Sequence, residues 1–279
     1  MVMSLRGSKG LSLTELLVAL VVSSFLMAAV YRTFISQQKT YVVQEQVVDM
    51  QQNVRVAIGR MMREIRMAGF GNLAWILQGA GATFGSKTLT RVITEGTPSG
   101  GLTVITAGGS TSVAADPVAL NQIQVTSLTD SQGNALFDTG QRKYVSVGGL
   151  ETLRITNIDA NSKILTLDRN LSSGPKQNDP VVAIRAVSYQ VVGTTLTRDE
   201  NLGGGAAPLA DNISGLQFQY LDGNGDPIAD PVANAANIRV IRVSVTARTS
   251  QSDPDYKNGG GYRTRTITSN IKLRNMGLI

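Results

Sequence analysis

The feature that most constrains this chain is an apolar segment near its amino terminus, Leu11 to Val30, in which Glu15 is the single charged residue. A helix of about 20 residues rises about 30 Å, which matches the hydrocarbon thickness of a bilayer. Arg6 and Lys9 precede the segment without an accompanying acid. Because basic flanks stay on the cytoplasmic side, the sequence predicts one span, with residues 1–10 in the cytoplasm and the remainder exported.

Glu15 is an expensive residue in such a span, at roughly 2.5–3.5 kcal/mol on insertion scales. One interpretation is that the carboxylate reaches the nearby interface and is simply tolerated there. The other is that it pairs with a cation inside the membrane. If the chain were cut after Gly10, the new α-amino group of Leu11 would be such a cation, on the same chain or on a neighbouring subunit.

The segment Lys9-Gly10-Leu11-Ser12-Leu13-Thr14-Glu15 and the apolar run behind it resemble the class III signal of type IV pilins and type II secretion pseudopilins. The resemblance implies cleavage after Gly10 by a prepilin peptidase, N-methylation of Leu11 and an assembly role for Glu15. The family usually has phenylalanine where this chain has Leu11. An ordinary secretory signal would instead have a cleavage site after its apolar stretch, and no clear one follows Val30.

Composition narrows the function classes. The 279-residue chain has neither cysteine nor histidine, which removes disulfides, thiolate sites and the commonest general base and metal ligand. We therefore expect no enzyme and no cofactor. The carboxyl-terminal residues 238–279 hold eight basic and two acidic residues. These charges alternate with threonine on apparent strands, so a solvated sheet face is favoured over a nucleic-acid or lipid site.

Residues 32–68 are predicted to continue the helix in amphipathic form. Apolar side chains recur there at steps of three or four, which is the pattern of one buried stripe. The members of the stripe are Val43, Val47, Met50, Val54, Ile58, Met61, Ile65 and Ala68. Gly69 follows where a left-handed C-cap would end the helix.

Strand patterns fill the rest of the chain after a glycine-rich excursion at residues 72–101, which contains a weaker candidate strand at 89–93. The predicted strands are residues 102–106, 122–127, 152–158, 163–168, 181–192, 194–198, 216–221, 238–248 and 262–274. Ile241, Val243, Val245 and Ala247 alternate with polar residues and should form a buried row. The loop at 250–261 is expected to join the last two strands as a long hairpin.

The resemblance extends over later stretches, residues 52–70, 209–220 and 262–275, which are similar to PilW-type minor pilins; J-type minor pseudopilins share the plan. It implies an α+β, type IV pilin-like fold, with a long N-terminal transmembrane and amphipathic helix packed on antiparallel β-sheet with a β-rich insertion. The expected division is a leader peptide (1–10), a transmembrane half-helix (11–31), an amphipathic half-helix (32–68) and a periplasmic or extracellular β-rich pilin domain (69–279).

A calcium loop is the one metal candidate. Asp222, Asn224 and Asp226 alternate as ligands would, but Pro227 and Ala233 stand where a glycine and a bidentate glutamate are needed. A hairpin turn is the favoured interpretation, and calcium held in another geometry, with Asp230, stays open.

The function implied is that of a minor pilin in pilus assembly, priming or a tip complex. Its expected place is the bacterial inner membrane, single-pass with a periplasmic domain, and the pilus or cell surface after assembly. The expected partners are prepilin peptidase, the major pilin and other minor pilins, with a tip adhesin as a further candidate. The alternatives are a minor pseudopilin of a type II secretion system or a pilus-associated protein that binds DNA or a surface. Nucleic acid is disfavoured as a partner but left open.

Overall fold

The computed structural model describes residues 12–96, 100–117 and 119–276. Gly10, Leu11 and the expected leader lie outside these residues. The chain divides into two compact units, one that ends at Asp49 and one that begins at Met50.

Helix α1 runs from Leu13 to Arg66. Within the first unit its large apolar side chains are exposed, with Leu16, Phe25 and Met27 at 59%, 74% and 72%. Within the second unit the predicted stripe is buried, from Met50 to Ile65. The same helix therefore changes from an apolar surface that contacts no other described element of its own unit to an amphipathic surface that packs on sheet.

The described residues also contain a short helix, α2 (Ala74–Leu77), 3₁₀ turns at Ala235–Asn237 and Asn258–Gly261, and strands β1 (Ala82–Phe84), β2 (Lys87–Leu89), β3 (Ile93–Gly96), β4 (Gly101–Ser112), β5 (Gln122–Gln124), β6 (Tyr144–Val147), β7 (Glu151–Asp159), β8 (Ile164–Leu167), β9 (Pro180–Val192), β10 (Thr195–Asp199), β11 (Ala207–Ala210), β12 (Ile213–Leu221), β13 (Val240–Arg248) and β14 (Thr264–Lys272).

All strand pairings between these elements are antiparallel, and they form three sheets. A nine-stranded sheet has the order β11-β10-β9-β6-β7-β8-β5, with β4 also paired to β9 and β3 to β4. Strand β9 is its longest member and pairs with β4, β6 and β10. A separate sheet of β12, β13 and β14 and a small β1-β2 hairpin complete the set. The α+β layout expected of a pilin-like fold is confirmed.

The three-stranded sheet follows the predicted alternation closely. Ile241, Val243, Val245 and Ala247 are all fully buried. Strand β13 pairs with β14 in unbroken register from Val240 opposite Lys272 to Arg248 opposite Thr264. The predicted long hairpin is thus present.

Other predictions along the chain need correction. The candidate strand at 89–93 is wrong, because Leu89 ends β2, Ile93 begins β3, and the two strands pair with different partners. The elements α2, β1, β2, β3, β6 and β11 were not predicted. Strand β6 is buried at all four positions, so it lacks the alternation that reveals a half-exposed strand, and the others are too short to show a period.

The end of α1 is tied to both large sheets. Gly69 has a positive φ of 79°, as predicted for the C-cap glycine, and its N–H donates to the Ile105 carbonyl on β4 at 3.1 Å. The N–H of Arg274 donates to the Arg66 carbonyl at 3.1 Å, just beyond β14. These bonds satisfy carbonyl and amide groups that a helix terminus otherwise leaves free.

Candidate functional site

The start of α1 is organised by a reciprocal pair of hydrogen bonds. The Ser12 backbone N–H donates to Glu15 Oε2 at 2.9 Å, and the Glu15 backbone N–H donates to Ser12 Oγ at 3.2 Å. This arrangement is a capping box, in which the N-cap serine and the acid three residues later satisfy each other's free amides. Sequence reasoning missed it, although the spacing Ser-x-x-Glu is its signature.

The Glu15 carboxylate makes no ion pair with any residue between Ser12 and Met276 that the structure describes. Its neighbours Leu16, Leu17 and Val18 are exposed and apolar. The helix amino terminus favours a negative charge there, but the described residues of this unit, from Ser12 to Asp49, supply no full counter-charge. The site can accept a cation from outside.

The first helix includes an 18-residue stretch that is long and apolar enough to cross a membrane, and none of that stretch is buried. Large apolar side chains in water are costly, so this surface needs lipid or other apolar helices. The finding is consistent with a membrane-anchored protein. Cleavage after Gly10 and methylation of Leu11 fall outside the described residues and remain predictions.

A second carboxylate on α1 has the opposite environment. Glu64 is 7% exposed and receives two bonds from Arg198 on β10, with Nη2 to Oε1 at 2.6 Å and Nε to Oε2 at 3.0 Å. The Tyr189 hydroxyl on β9 also donates to Oε2, and Arg60 Nε lies 3.1 Å from Oε1. We call Glu64, Arg198, Tyr189, Arg185 and Glu200 the Glu64 cluster.

The Glu64 cluster fixes α1 on the nine-stranded sheet electrostatically. Burial raises the pKa of Glu64, but hydrogen bonds from Arg198 and Tyr189 and the nearby arginine charges outweigh it, so the pKa of Glu64 is lowered. Burial together with the Glu64 charge raises the pKa of Tyr189. Burial lowers the pKa of Arg198, yet its bonds to Glu64 and Glu200 raise it overall. The Glu64 carboxylate is therefore charged, and nearby arginines balance its charge. Sequence reasoning gave no sign of the cluster.

The calcium candidate forms a turn. Asp222 Oδ1 accepts the Asn224 and Asp226 amides, both at 2.9 Å, and the Asp222 N–H donates to the Asp226 carbonyl at 3.0 Å. Asp230 caps its own turn in the same way at Val232. No cluster of three or more His, Cys, Asp or Glu able to hold a metal occurs among the described residues.

Comparison with known proteins bears on the amino terminus. Residues 5–31 match the family model described as the prokaryotic N-terminal methylation motif. The matched range includes Gly10, Leu11 and Glu15. The chain matches none of the curated proteins with which it was compared. The motif, whose described part from Leu13 to Tyr31 lies on the long helix α1, supports a type IV pilin-like or pseudopilin protein.

Proposed function

We propose that the chain is a minor pilin that takes part in type IV pilus assembly, in a priming or tip complex. Prepilin peptidase cleaves it after Gly10, and Leu11 becomes the N-methylated first residue. Before assembly the protein is anchored in the inner membrane with its β-rich domain in the periplasm. It enters the filament when its apolar helix leaves the bilayer and joins a bundle of like helices.

The observation that carries this proposal is the methylation motif at residues 5–31, whose described part from Leu13 onward lies on α1, together with an 18-residue apolar stretch of that helix that is not buried. Glu15 adds chemical support, because its carboxylate has no cationic partner among the described residues. In a bundle of helices, the amine of a neighbouring subunit would supply that charge. A buried charge with one permitted partner sets register.

The three stretches that resemble PilW-type minor pilins support the finer assignment by their positions. Residues 52–70 form the packed end of α1 and its turn, residues 209–220 contain the end of β11 and most of β12, and residues 262–275 contain β14. The first and the third are joined by the bond from Arg274 to Arg66, and β12 and β14 flank β13. The resemblance therefore falls on one contiguous part of the fold.

The DNA-binding alternative is weakened by how the basic strands use their charges. Arg242 donates to Asn270 at 2.9 Å and to Gln219 at 2.9 Å. Arg248 lies over the Tyr262 ring, with 4.3 Å between its guanidinium carbon and the ring centroid. Guanidiniums engaged with their own sheet are less available to phosphate groups.

The first test is processing. In cells with an active prepilin peptidase, intact-mass measurement and amino-terminal sequencing should give a mature chain that begins with methylated Leu11, and Gly10→Val should block the cut. Uncut protein, or a cut after Val30, would overturn the proposal.

A second measurement separates the pilus from the secretion machine. Because the chain has no cysteine, a single cysteine introduced at the exposed Val56 can be cross-linked without background. Cross-links to a major pilin support the pilus assignment, whereas cross-links to pseudopilins of a secretion system favour the alternative.

A further inference from the structure

A cleft beside the Glu64 cluster carries more positive charge than the fold neutralises. It lies between the last turns of α1 and strands β4 and β9, has a volume of about 280 Å³, and is lined in part by Arg60, Arg63 and Arg185. We call it the arginine cleft. Among the described residues that line it, Glu64 is the acid.

The Glu64 carboxylate already lies close to three guanidinium groups. Its Oε1 lies 2.6 Å from Arg198 Nη2, 3.1 Å from Arg60 Nε and 3.8 Å from Arg185 Nη2. Glu200 is shared between Arg198 and Arg185, at 2.8 and 3.2 Å. With Arg63 at the rim of the cleft, the four guanidiniums of Arg60, Arg63, Arg185 and Arg198 face the two carboxylates of Glu64 and Glu200. The net charge of these six groups is positive.

Two of the arginines that line the cleft also have unused hydrogen-bond donors among the described residues. Arg63 is exposed and has no hydrogen bond or ion pair with a described residue. Arg185 Nε is buried and lacks an acceptor in the described part of the chain. A guanidinium carries five N–H donors, and a buried donor without an acceptor costs free energy.

The helix dipole does not account for this arrangement. Basic residues in a last turn are favoured by the dipole, which explains Arg63 and Arg66 on α1. Arg185, however, comes from β9 and approaches the same space from the sheet. Arginines from α1 and from β9 therefore converge on the arginine cleft. Because the cleft is partly buried, salt screens their charges less than it screens charges at an open surface.

We propose that the arginine cleft binds the carboxylate of an acidic side chain on a partner protein, the group with which Arg60 and Arg185 already pair at Glu64 and Glu200. Guanidiniums such as those of Arg60, Arg63 and Arg185, which line the cleft, can donate two parallel N–H bonds to a carboxylate. The anion neutralises the excess charge and contacts Arg63 at the rim. The proposal stands apart from the pilin function, since its test involves neither processing nor assembly.

The test uses the full-length protein in a neutral detergent, titrated with inorganic phosphate, with glutarate, and with sodium chloride at matched ionic strength. The melting temperature should rise saturably with glutarate beyond the chloride response. Arg63→Gln should weaken the apparent affinity by about tenfold, because it removes charge-assisted hydrogen bonds. Its melting temperature in chloride should fall only slightly, since among the described residues Arg63 has no hydrogen bond or ion pair to lose and gives up only its interaction with the helix dipole.

Arg55→Gln is the matched control, because Arg55 is an exposed arginine on the same helix outside the residues that line the cleft. It should bind as the parent does. A stronger response to glutarate than to phosphate supports an acidic side chain as the occupant, and a stronger response to phosphate would overturn that assignment. A response no larger than that to chloride, or an Arg63→Gln protein that binds like the parent, would overturn the proposal.

Discussion

Glu15 and Glu64 lie on the same helix and have opposite surroundings. Glu15 is exposed among apolar side chains, and among the described residues its carboxylate bonds only the amide of Ser12. Glu64 is buried and has Arg198, Tyr189 and Arg60 as partners. The carboxylate in the second unit has its counter-charges within the fold, while the one in the first unit has none in the part of the chain that the structure describes.

The two sites show two different roles for a carboxylate in an environment where a charge is costly. A buried carboxylate with internal partners fixes how a helix lies on a sheet, at the risk of a large loss when one partner is removed. A carboxylate without an internal cation contributes little to folding and is free to choose an external one. We therefore expect mutations at the two sites to affect different measurements.

The largest effect is expected at the buried site. Glu64→Gln should destabilise the second unit by about 3–5 kcal/mol, because Arg198 stays buried, at 12% exposure of its side chain, without its charge partner. Denaturant unfolding of the full-length protein, followed by the fluorescence of its single tryptophan, Trp75, measures this. Glu45→Gln, an exposed change on the same helix, should stay within about 0.5 kcal/mol. Equal stabilities would contradict the contrast between the two sites.

Acid should reproduce that loss gradually. The pKa of Glu64 is lowered in the folded protein, so its contribution is fully present above the unfolded value of about 4.3 and is lost as the pH falls through the folded value. The stability gap between the parent and Glu64→Gln should be constant near neutral pH and close under acid. Unfolding curves of both proteins across this range check it, and a gap that persists at the lowest pH would assign the effect to packing.

At the exposed site the loss should appear in assembly. Glu15→Gln keeps the capping box, since glutamine also serves at that position, and it should insert at least as well as the parent because a neutral amide costs less in lipid. Incorporation into filaments should fall by about tenfold, because the neighbour's amine loses its counter-charge. Glu15→Lys should be worse. The amount in sheared filaments, normalised to membrane levels, decides, and undiminished incorporation would contradict the pairing.

The smallest effect is expected at Ser12. Ser12→Ala removes the hydroxyl that accepts the Glu15 N–H and should destabilise the first helical turn by about 1 kcal/mol. Ser12→Thr should retain the cap. Amide hydrogen exchange in detergent can resolve this difference at residues 13–16, while unfolding of the second unit should not change. A shift in that unfolding would show that the two units are energetically coupled.

Sequence patterns predicted the elements whose side chains repeat. The stripe of α1 from Met50, the C-cap at Gly69 and the alternation of β13 follow from periods of 3.6 and 2 and from the freedom of glycine at positive φ. The short strands β1, β2 and β11 were missed because three or four residues cannot display a period. The capping box of Ser12 could have been found from its spacing.

The Glu64 cluster could not have been predicted from local pattern. Tyr189 and Arg198 lie 125 and 134 residues from Glu64 along the chain, and nothing in the neighbourhood of any one of them specifies the others. Partner choice there depends on how β9 and β10 are placed under α1. Charge pairs between residues far apart in the chain depend on the topology of the fold. Short windows of a single sequence do not reveal them.

The bonds between the end of α1 and the segment after β14 affect the order in which the protein can mature. Asn275 Nδ2 contacts the Met67 carbonyl across 208 residues of chain, and domains emerge amino terminus first during synthesis. The helix end and β13 therefore stay open until the chain beyond residue 275 has been made. A chain that stalls earlier lacks β14 and Asn275, so the edge of β13 and the carbonyls of Arg66 and Met67 do not yet have the partners that this last segment supplies.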